Sequence, residues 1–269
     1  MDLNFYNKYH LGDQIYHIHF CNKLLQKYPH LRISNYMYDE YKISSDLHVY
    51  PENKYRIKNI GIDNGGFSYI DLKNYNNCWI NRKGIFDKWV STPSSGYLEF
   101  DVFYIDFYIE LLAELGLESP ILNRDDFWFD NPEITKTDEH FDFLLINSVP
   151  MSGQWYDNNG QFDEISTKLI DSGYSVISTA KSRVPDVVCT LDRGYSLLDI
   201  AKVSTGVDHV IGIHTSPFLV TLNHLSVDTV KSFICLHRQG LTYSLENVHN
   251  IKSDYKEVYN ILSSYGVKI

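Results

Sequence analysis

The sequence has little of what marks a secreted, membrane-spanning or nucleic-acid-binding protein. Its four cysteines, among 269 residues, show none of the spacings of metal-binding or redox motifs. No apolar run approaches the roughly 20 residues that span a bilayer, and the opening MDLNFYNKYH is too polar for a secretory signal. Lys and Arg number 24 against 34 Asp and Glu, and the net charge of −10 argues against nucleic-acid binding. We expect a cytoplasmic protein (in the host cytoplasm if the source is viral), with no nucleic-acid partner and no stable membrane insertion.

What the chain does contain is an alternation of short apolar strands with helices of one apolar face. A hydrophobic content of 43% and a charged content of 22% are typical of a globular protein. The polar run 130–140 separates two stretches in which strand, turn, helix and strand recur. The pattern predicts an α/β fold with two Rossmann-like domains, residues 1–135 and 136–269, and a ligand cleft between them.

The first domain opens with a strand at Leu3–Tyr6, a turn that includes Gly12, and a helix that begins near Asp13. The glycine lets the backbone turn tightly and brings Asp13 to the carboxyl end of the first strand. Open α/β sheets bind their ligands at that edge. The pattern therefore places the Asp13 carboxylate where a ligand is expected, although the same position also suits a plain helix cap. No GxGxxG fingerprint is present, and the segment 36–100 gives no clear pattern.

The second domain contains the most informative stretch, SLLDIAKVSTGVDHVIGIHTSPFLVTL (196–222). Ser196 and Asp199, three residues apart, predict a capping box at the start of a helix. The apolar HVIGI that follows predicts a buried strand, and Ser216 with Pro217 predicts the N-cap and first residue of the next helix. A helix start at the carboxyl end of a strand can bind phosphate, and it also occurs without any ligand in ordinary α/β domains.

Three segments, 10–29, 144–179 and 196–222, together resemble the GT-B glycosyltransferases, which have two Rossmann domains, and among them the heptosyltransferase-like family. The resemblance implies an inverting transfer of a sugar from a nucleotide-sugar donor to a glycan or another hydroxyl acceptor. It implies that the N-terminal domain binds the acceptor and the C-terminal domain binds the nucleotide sugar. It also implies that Asp13, whose carboxylate the pattern places at the end of the first strand, is the catalytic base.

The predicted donor site combines the resemblance with the pattern: Gly12, Ser152, Gly153, Gln154, Arg193, His214, Thr215 and Ser216. Thr215 and Ser216 are expected to contact the diphosphate. Arg193, or alternatively Arg183, is expected to supply the positive charge that the family usually carries where this chain has Gln154.

No Asp-x-Asp pair or histidine pair offers metal ligands, so we expect transfer without a metal ion or other cofactor. Gln154, and Ser216 in place of the family's glycine, favour an alternative, a catalytically inactive binding or scaffold protein with the same fold.

Overall fold

The computed structural model describes residues 1–7, 10–63, 98–122, 129–149, 159–237, 241–242, 245–251 and 255–269. The chain divides into two compact units, Met1–Asn131 and Pro132–Ile269. Each unit contains a parallel sheet and helices, so the predicted α/β class with two Rossmann-like halves is confirmed. None of the described helices combines the length and the hydrophobicity that crossing a bilayer requires.

Unit 1 is built on three parallel strands in the order β1–β2–β3. Its strands and helices are β1 (Asp2–Tyr6), α1 (Leu11–Lys27), β2 (Arg32–Tyr38), α2 (Asp39–Asp46), a 3-10 turn (Pro51–Asn53), β3 (Ile57–Ile62), β4 (Leu98–Glu99) and α3 (Phe100–Ala113). Alternate residues of β1 and β2 are buried, as half-buried strands require.

Helix α1 is the main helix of unit 1 and carries an almost continuous buried surface from Gln14 to Leu25. The sequence predicts its start near Asp13, but it begins at Leu11, after His10 as an N-cap without a side-chain hydrogen bond. Asp13 therefore lies in the first turn, where a carboxylate interacts favourably with the helix dipole. The helix ends at Lys27, two residues before Pro29, which cannot continue a helical hydrogen-bond pattern.

Unit 2 contains a six-stranded sheet in which every described strand pair is parallel. Its strands and helices are β5 (Phe141–Ile146), α4 (Asn159–Asp171), β6 (Val176–Ser178), β7 (Val188–Cys189), α5 (Leu197–Ser204), β8 (Val207–Ile213), α6 (Ser216–Thr221), α7 (Ser226–Thr229), β9 (Ser232–Leu236), β10 (Leu241–Thr242), β11 (Val248–Ile251) and α8 (Tyr255–Ser264). The spatial order is β7–β6–β5–β8–β9–β11. Counted along the chain among the sheet's strands, this is the 3-2-1-4-5-6 order of a Rossmann fold.

The core of unit 2 packs helices α4 and α8 against the central strands. Phe162, Ile165 and Leu169 recur on one face of α4 and are buried together with Val258 and Leu262 of α8. Each such side chain contributes on the order of 1.5–3 kcal/mol to stability when buried. This core fixes the central strands in register and so determines where their carboxyl ends lie.

Candidate functional site

The strand order of unit 2 identifies one place in the sheet where a ligand site is expected. Strand β5 comes first along the chain in this sheet and lies between β6 and β8. The connections therefore leave β5 and β8 in opposite directions, which is the topological switch point where Rossmann folds bind their ligands. We use the name "unit 2 switch point" for residues 147–149, which follow β5, and 214–216, which follow β8.

Asn147 is the first residue after β5 and ties this end of the strand to the connection that follows β6. Its Oδ1 accepts a hydrogen bond from the Ala180 N–H at 2.7 Å, and its Nδ2 donates to the Ala180 carbonyl at 3.2 Å. The Ser148 hydroxyl donates to Thr179 Oγ1 at 2.7 Å, and the Asn147 N–H donates to the same oxygen at 3.1 Å. The loop beside the switch point is thus held by side chains that the sequence interpretation overlooked.

A signal in the sequence could have found these side chains, because each central strand is followed at once by a polar residue. Asn147 follows β5, Thr179 follows β6, His214 follows β8 and His237 follows β9. All four are at the carboxyl edge of the sheet, since the strands are parallel. A polar residue directly after a buried strand is therefore the pattern to look for in this chain.

His214 continues the ladder beyond β8, with its N–H donating to the Leu236 carbonyl at 3.0 Å. Burial, and then the neighbouring His237, lower the pKa of His214 to about 4. At neutral pH its imidazole is therefore uncharged and offers a diphosphate one neutral N–H donor, with no countercharge.

The start of α6 differs by one residue from the expectation. Thr215 is the N-cap, and Ser216 and Pro217 are the first two helical residues, so the prediction of Ser216 as the cap is wrong. The Thr215 hydroxyl donates to the Ile213 carbonyl at 3.1 Å and does not cap the helix. Both Thr215 and Ser216 are half-buried at the switch point. Because α6 has only six residues, its dipole is a minor contribution to any anion site here.

Arg193 does not lie at this edge of the sheet. Its guanidinium donates at 2.7 Å to both carboxylate oxygens of Glu139 and lies 5.8 Å from the ring centroid of Phe141. These residues are at the amino end of β5, whereas Thr215 lies beyond the carboxyl end of the parallel strand β8. At about 3.3 Å per residue, the two edges are roughly 20 Å apart. The structure thus separates Arg193 from the predicted contacts that follow β8: His214, Thr215 and Ser216.

Arg183, the alternative source of positive charge, follows β6 and is on the carboxyl side of the sheet. Its N–H donates to Asp163 Oδ1 at 3.1 Å, and the Ser182 hydroxyl donates to the same oxygen at 2.7 Å. Asp163 is in the first half of α4, so these contacts join the β6 loop to the helix that follows β5. The Arg183 side chain is 84% exposed and its Nε is 4.0 Å from the Asp163 carboxylate, which leaves the guanidinium accessible to a ligand.

In unit 1, Gly12 and Asp13 are the second and third residues of α1, at the carboxyl end of β1, and both are half-buried. The next strand, β2, leads directly into α2, where Tyr41 lies in the first turns. Burial, then Glu40, and to a smaller extent Tyr38 and Asp13, raise the pKa of Tyr41 to about 12. Asp13 therefore has in its electrostatic surroundings a tyrosine that stays protonated at neutral pH, a neighbour that no pattern in the sequence predicts.

The predicted residues Ser152, Gly153 and Gln154 lie outside the described residues. Within the described part, one group of side chains has the composition of a metal site: His140, Asp142 and Asp208, whose ligand atoms lie within 4.8 Å of one another. The group is at the amino edge of the unit 2 sheet, away from the switch point. The Asp142 carboxylate accepts from Ser175, and Asp208 pairs with Lys231 at 2.8 Å.

Comparison with known proteins finds relatives in structure alone. No protein-family model and no characterised protein sequence matches the chain. E. coli heptosyltransferase WaaC with ADP-2-deoxy-2-fluoro heptose matches with a TM-score of 0.58 and 10% identity, over 98% of this chain and 100% of that one. E. coli ADP-heptose lps heptosyltransferase II matches with a TM-score of 0.55 and 11% identity, over 99% and 100%.

A glycosyltransferase of family 9 from Veillonella parvula gives a TM-score of 0.52 at 14% identity, over 100% of this chain and 90% of that one. Identities this low establish the fold, and the matches run along nearly the whole length of both chains. The resemblance drawn from three sequence segments therefore extends to the complete chain at the level of structure. This protein has the two-Rossmann-domain fold of the heptosyltransferases.

Proposed function

We propose that the protein is a glycosyltransferase that moves a sugar from a nucleotide-sugar donor to a hydroxyl group of a carbohydrate acceptor, with inversion and without a metal ion. Unit 2 binds the nucleotide sugar at its switch point, and unit 1 binds the acceptor beside Asp13. The observation that carries the proposal is the full-length structural match to heptosyltransferases, one of which, E. coli WaaC, is named in two structures with ADP or an ADP-sugar analogue. ADP-sugars are therefore the first donors to test, ahead of UDP- and GDP-sugars.

The chemistry requires a base, a leaving group and donors that stabilise the leaving group. The Asp13 carboxylate accepts the proton of the acceptor hydroxyl as that oxygen attacks the anomeric carbon of the donor sugar. The bond from this carbon to the diphosphate breaks, the configuration inverts, and the nucleoside diphosphate leaves with the electron pair. Thr215, Ser216 and the His214 imidazole are the neutral groups proposed to face the diphosphate, and Arg183 supplies the positive charge.

The first experiment measures sugar transfer by wild type and Asp13→Asn, with release of nucleoside diphosphate as the readout. Asn keeps the size of the side chain but is not basic, so transfer should fall about 10²-fold or more while stability changes little. Asp228→Asn is the matched control, because Asp228 is an exposed carboxylate in the first turn of α7. Normal transfer by Asp13→Asn would leave Asp13 with only a structural role at the helix start.

The same assay separates the proposal from its alternatives. Transfer that persists in EDTA supports the metal-independent reaction, and transfer that is abolished by EDTA and restored by Mn²⁺ or Mg²⁺ contradicts it. A protein that binds the nucleotide but transfers to no carbohydrate acceptor would be the catalytically inactive binding protein instead.

The donor site is tested by calorimetric titration of ADP, GDP and UDP into Arg183→Ala and Arg193→Ala. A charge-assisted hydrogen bond is worth on the order of 1.5–3 kcal/mol, so losing the Arg183 contact should weaken binding by roughly ten- to a hundredfold. Arg193→Ala removes the same charge at the opposite edge of the sheet and should leave the affinity unchanged. If Arg193→Ala lost nucleotide affinity and Arg183→Ala did not, Arg193 would be the residue that supplies the positive charge.

A further inference from the structure

Three side chains with the chemistry of metal ligands meet at the amino edge of the unit 2 sheet: His140, Asp142 and Asp208. Their ligand atoms lie within 4.8 Å of one another. His140 directly precedes β5 and Asp142 is the second residue of that strand, and residues two apart along a strand project to the same face. In the parallel register of β5 and β8, the residues on either side of Asp142 pair with those on either side of Asp208. The two aspartates are therefore direct neighbours across the strands.

The charges of this cluster do not balance. Two like charges directly opposite each other on neighbouring strands destabilise a sheet unless cations compensate them. Asp208 pairs with Lys231 at 2.8 Å, which compensates one of the two carboxylates. Arg193, also at this edge, is bound by both carboxylate oxygens of Glu139. The cluster is thus left with an excess of negative charge, which favours a bound cation.

Hydrogen bonds from outside the cluster orient both carboxylates and use only one oxygen of each. Asp142 Oδ2 accepts from the Ser175 N–H and from the Ser175 hydroxyl, both at 2.7 Å. Asp208 Oδ2 accepts from Lys231 Nζ. Among the described residues, no hydrogen bond from another residue reaches Oδ1 of either carboxylate. Metal-binding carboxylates are oriented in this way, by outer hydrogen bonds that leave one oxygen for the ion.

The donor set indicates which ion fits. One imidazole nitrogen with two carboxylate oxygens suits Zn²⁺, whereas Mg²⁺ and Ca²⁺ prefer oxygen ligands alone. Zinc binds these atoms at about 2.0–2.2 Å, so the ligand atoms of a tetrahedral ion lie roughly 3.4 Å apart. The present separations are within 4.8 Å, and the side chain of His140 is exposed and can rotate toward the two aspartates. Three protein ligands leave the fourth position of the ion to water.

We propose that His140, Asp142 and Asp208 bind one Zn²⁺ ion, which joins β5 to β8 at the amino edge of the unit 2 sheet. The same two strands carry the unit 2 switch point at their carboxyl ends, roughly 20 Å away at about 3.3 Å per residue. The ion therefore stabilises the pair of strands that positions the switch point and does not contact the donor. This structural site is separate from the metal-independent transfer proposed above, so either proposal can fail without the other.

The test is calorimetric titration of ZnCl₂ into chelator-treated, desalted wild type, His140→Ala and Asp208→Asn at neutral pH. Wild type should bind one equivalent of zinc. Loss of an outer hydrogen-bond partner already weakens metal affinity by about 10–100-fold, so the loss of a ligand should weaken it at least as much in both variants. His30→Ala is the matched control, because His30 is an exposed histidine in unit 1, beside Tyr28, and should leave the zinc affinity unchanged. MgCl₂ should give no saturable binding to wild type.

Urea unfolding provides a second readout that does not depend on the heat of binding. Zinc should raise the urea midpoint of wild type, because the ion binds the assembled cluster and not the unfolded chain, and should leave the midpoint of His140→Ala unchanged. Wild-type zinc affinity in both His140→Ala and Asp208→Asn would mean that zinc binds elsewhere and would overturn the proposal. The absence of saturable zinc binding to wild type would overturn it as well. Loss of ADP binding or of transfer in EDTA would refute the proposed function and leave the zinc result as it is.

Discussion

The side chain of Asn147 offers the sharpest test of how unit 2 holds its switch point, by substitution with alanine. Alanine removes both hydrogen bonds to the Ala180 backbone, of 2.7 and 3.2 Å, and leaves the β5 and β6 strands intact. A net hydrogen bond contributes about 0.5–1.5 kcal/mol, so the two together are worth about 1–3 kcal/mol. Since Ala180 is half-buried and water can replace part of the loss, we expect a destabilisation of about 1–2 kcal/mol.

The assay is urea unfolding of wild type and Asn147→Ala, with the midpoint and the slope fitted separately. A shifted midpoint with an unchanged slope would report lost contacts without a change in the surface exposed on unfolding. Asn147→Asp is the control, because it keeps the acceptor for the Ala180 N–H but sets a negative oxygen against the Ala180 carbonyl. It should be at least as destabilising as alanine at neutral pH and recover as the carboxyl protonates. A free energy of unfolding within 0.5 kcal/mol of wild type for Asn147→Ala would refute the reasoning.

Two further predictions concern packing and pH. Gly212→Val should destabilise unit 2 by about 1–3 kcal/mol in the same urea assay, because the new Cβ would overlap with Ile146 of the neighbouring strand. A wild-type urea midpoint for this variant would mean that β5 and β8 can move apart to make room. Four histidines have pKa values lowered to about 4, chiefly by burial: His17, His48, His209 and His214. Because the folded pKa lies below the unfolded value of about 6.5, unfolded chains bind protons first as the pH falls. Stability is therefore full above pH 6.5 and is lost between about pH 6.5 and 4, by on the order of 2 kcal/mol for each histidine at pH 5. Equal urea midpoints at pH 7.5 and pH 5 would show that these histidines titrate normally.

Where the sequence carried a complete local signal, the structure follows it closely. Ser196 and Asp199 make the predicted capping box, with each side chain bonded to the backbone of the other. The uninterrupted apolar run Ser232–Leu236 forms β9, and Gly173 ends the helix before β6 with a φ of +86°. In each case, the residues that determine the local geometry are close together in the sequence, so this geometry can be predicted without knowledge of the tertiary contacts.

A buried pair of amides, Asn59 within the segment 36–100 that gave no clear pattern and Asn35 just before it, explains why the strands here are hard to predict. Asn59 interrupts the apolar pattern of β3 (Ile57–Ile62), and Asn35 does the same in β2 (Arg32–Tyr38). Both amides are buried because they bond to each other and to their neighbours. Periodicity of hydrophobic residues cannot reveal a strand whose interior positions are filled by paired amides.

The misplacement of Arg193 has a different cause. The chain turns back after β7, with Gly194 at a φ of +68°, and carries the Arg193 side chain to the amino edge of the sheet. A residue that follows a strand is expected at the carboxyl edge, and nothing in the local sequence shows how far the turn reverses. The partner, Glu139, is 54 residues away along the chain, so only the folded structure reveals the pair.

The most direct test of the account is amide chemical-shift mapping of the wild-type protein titrated with ADP, and with GDP and UDP for comparison. We expect one of these nucleotides to perturb the amides of a single set of residues at the carboxyl ends of β5 and β8: Asn147, Ser148, His214, Thr215 and Ser216. The amides of His140, Asp142 and Asp208, at the opposite edge of the same sheet, should not respond. Perturbations confined to the amino edge, or none with any of the three nucleotides, would contradict the claim that unit 2 binds a nucleotide sugar at its switch point.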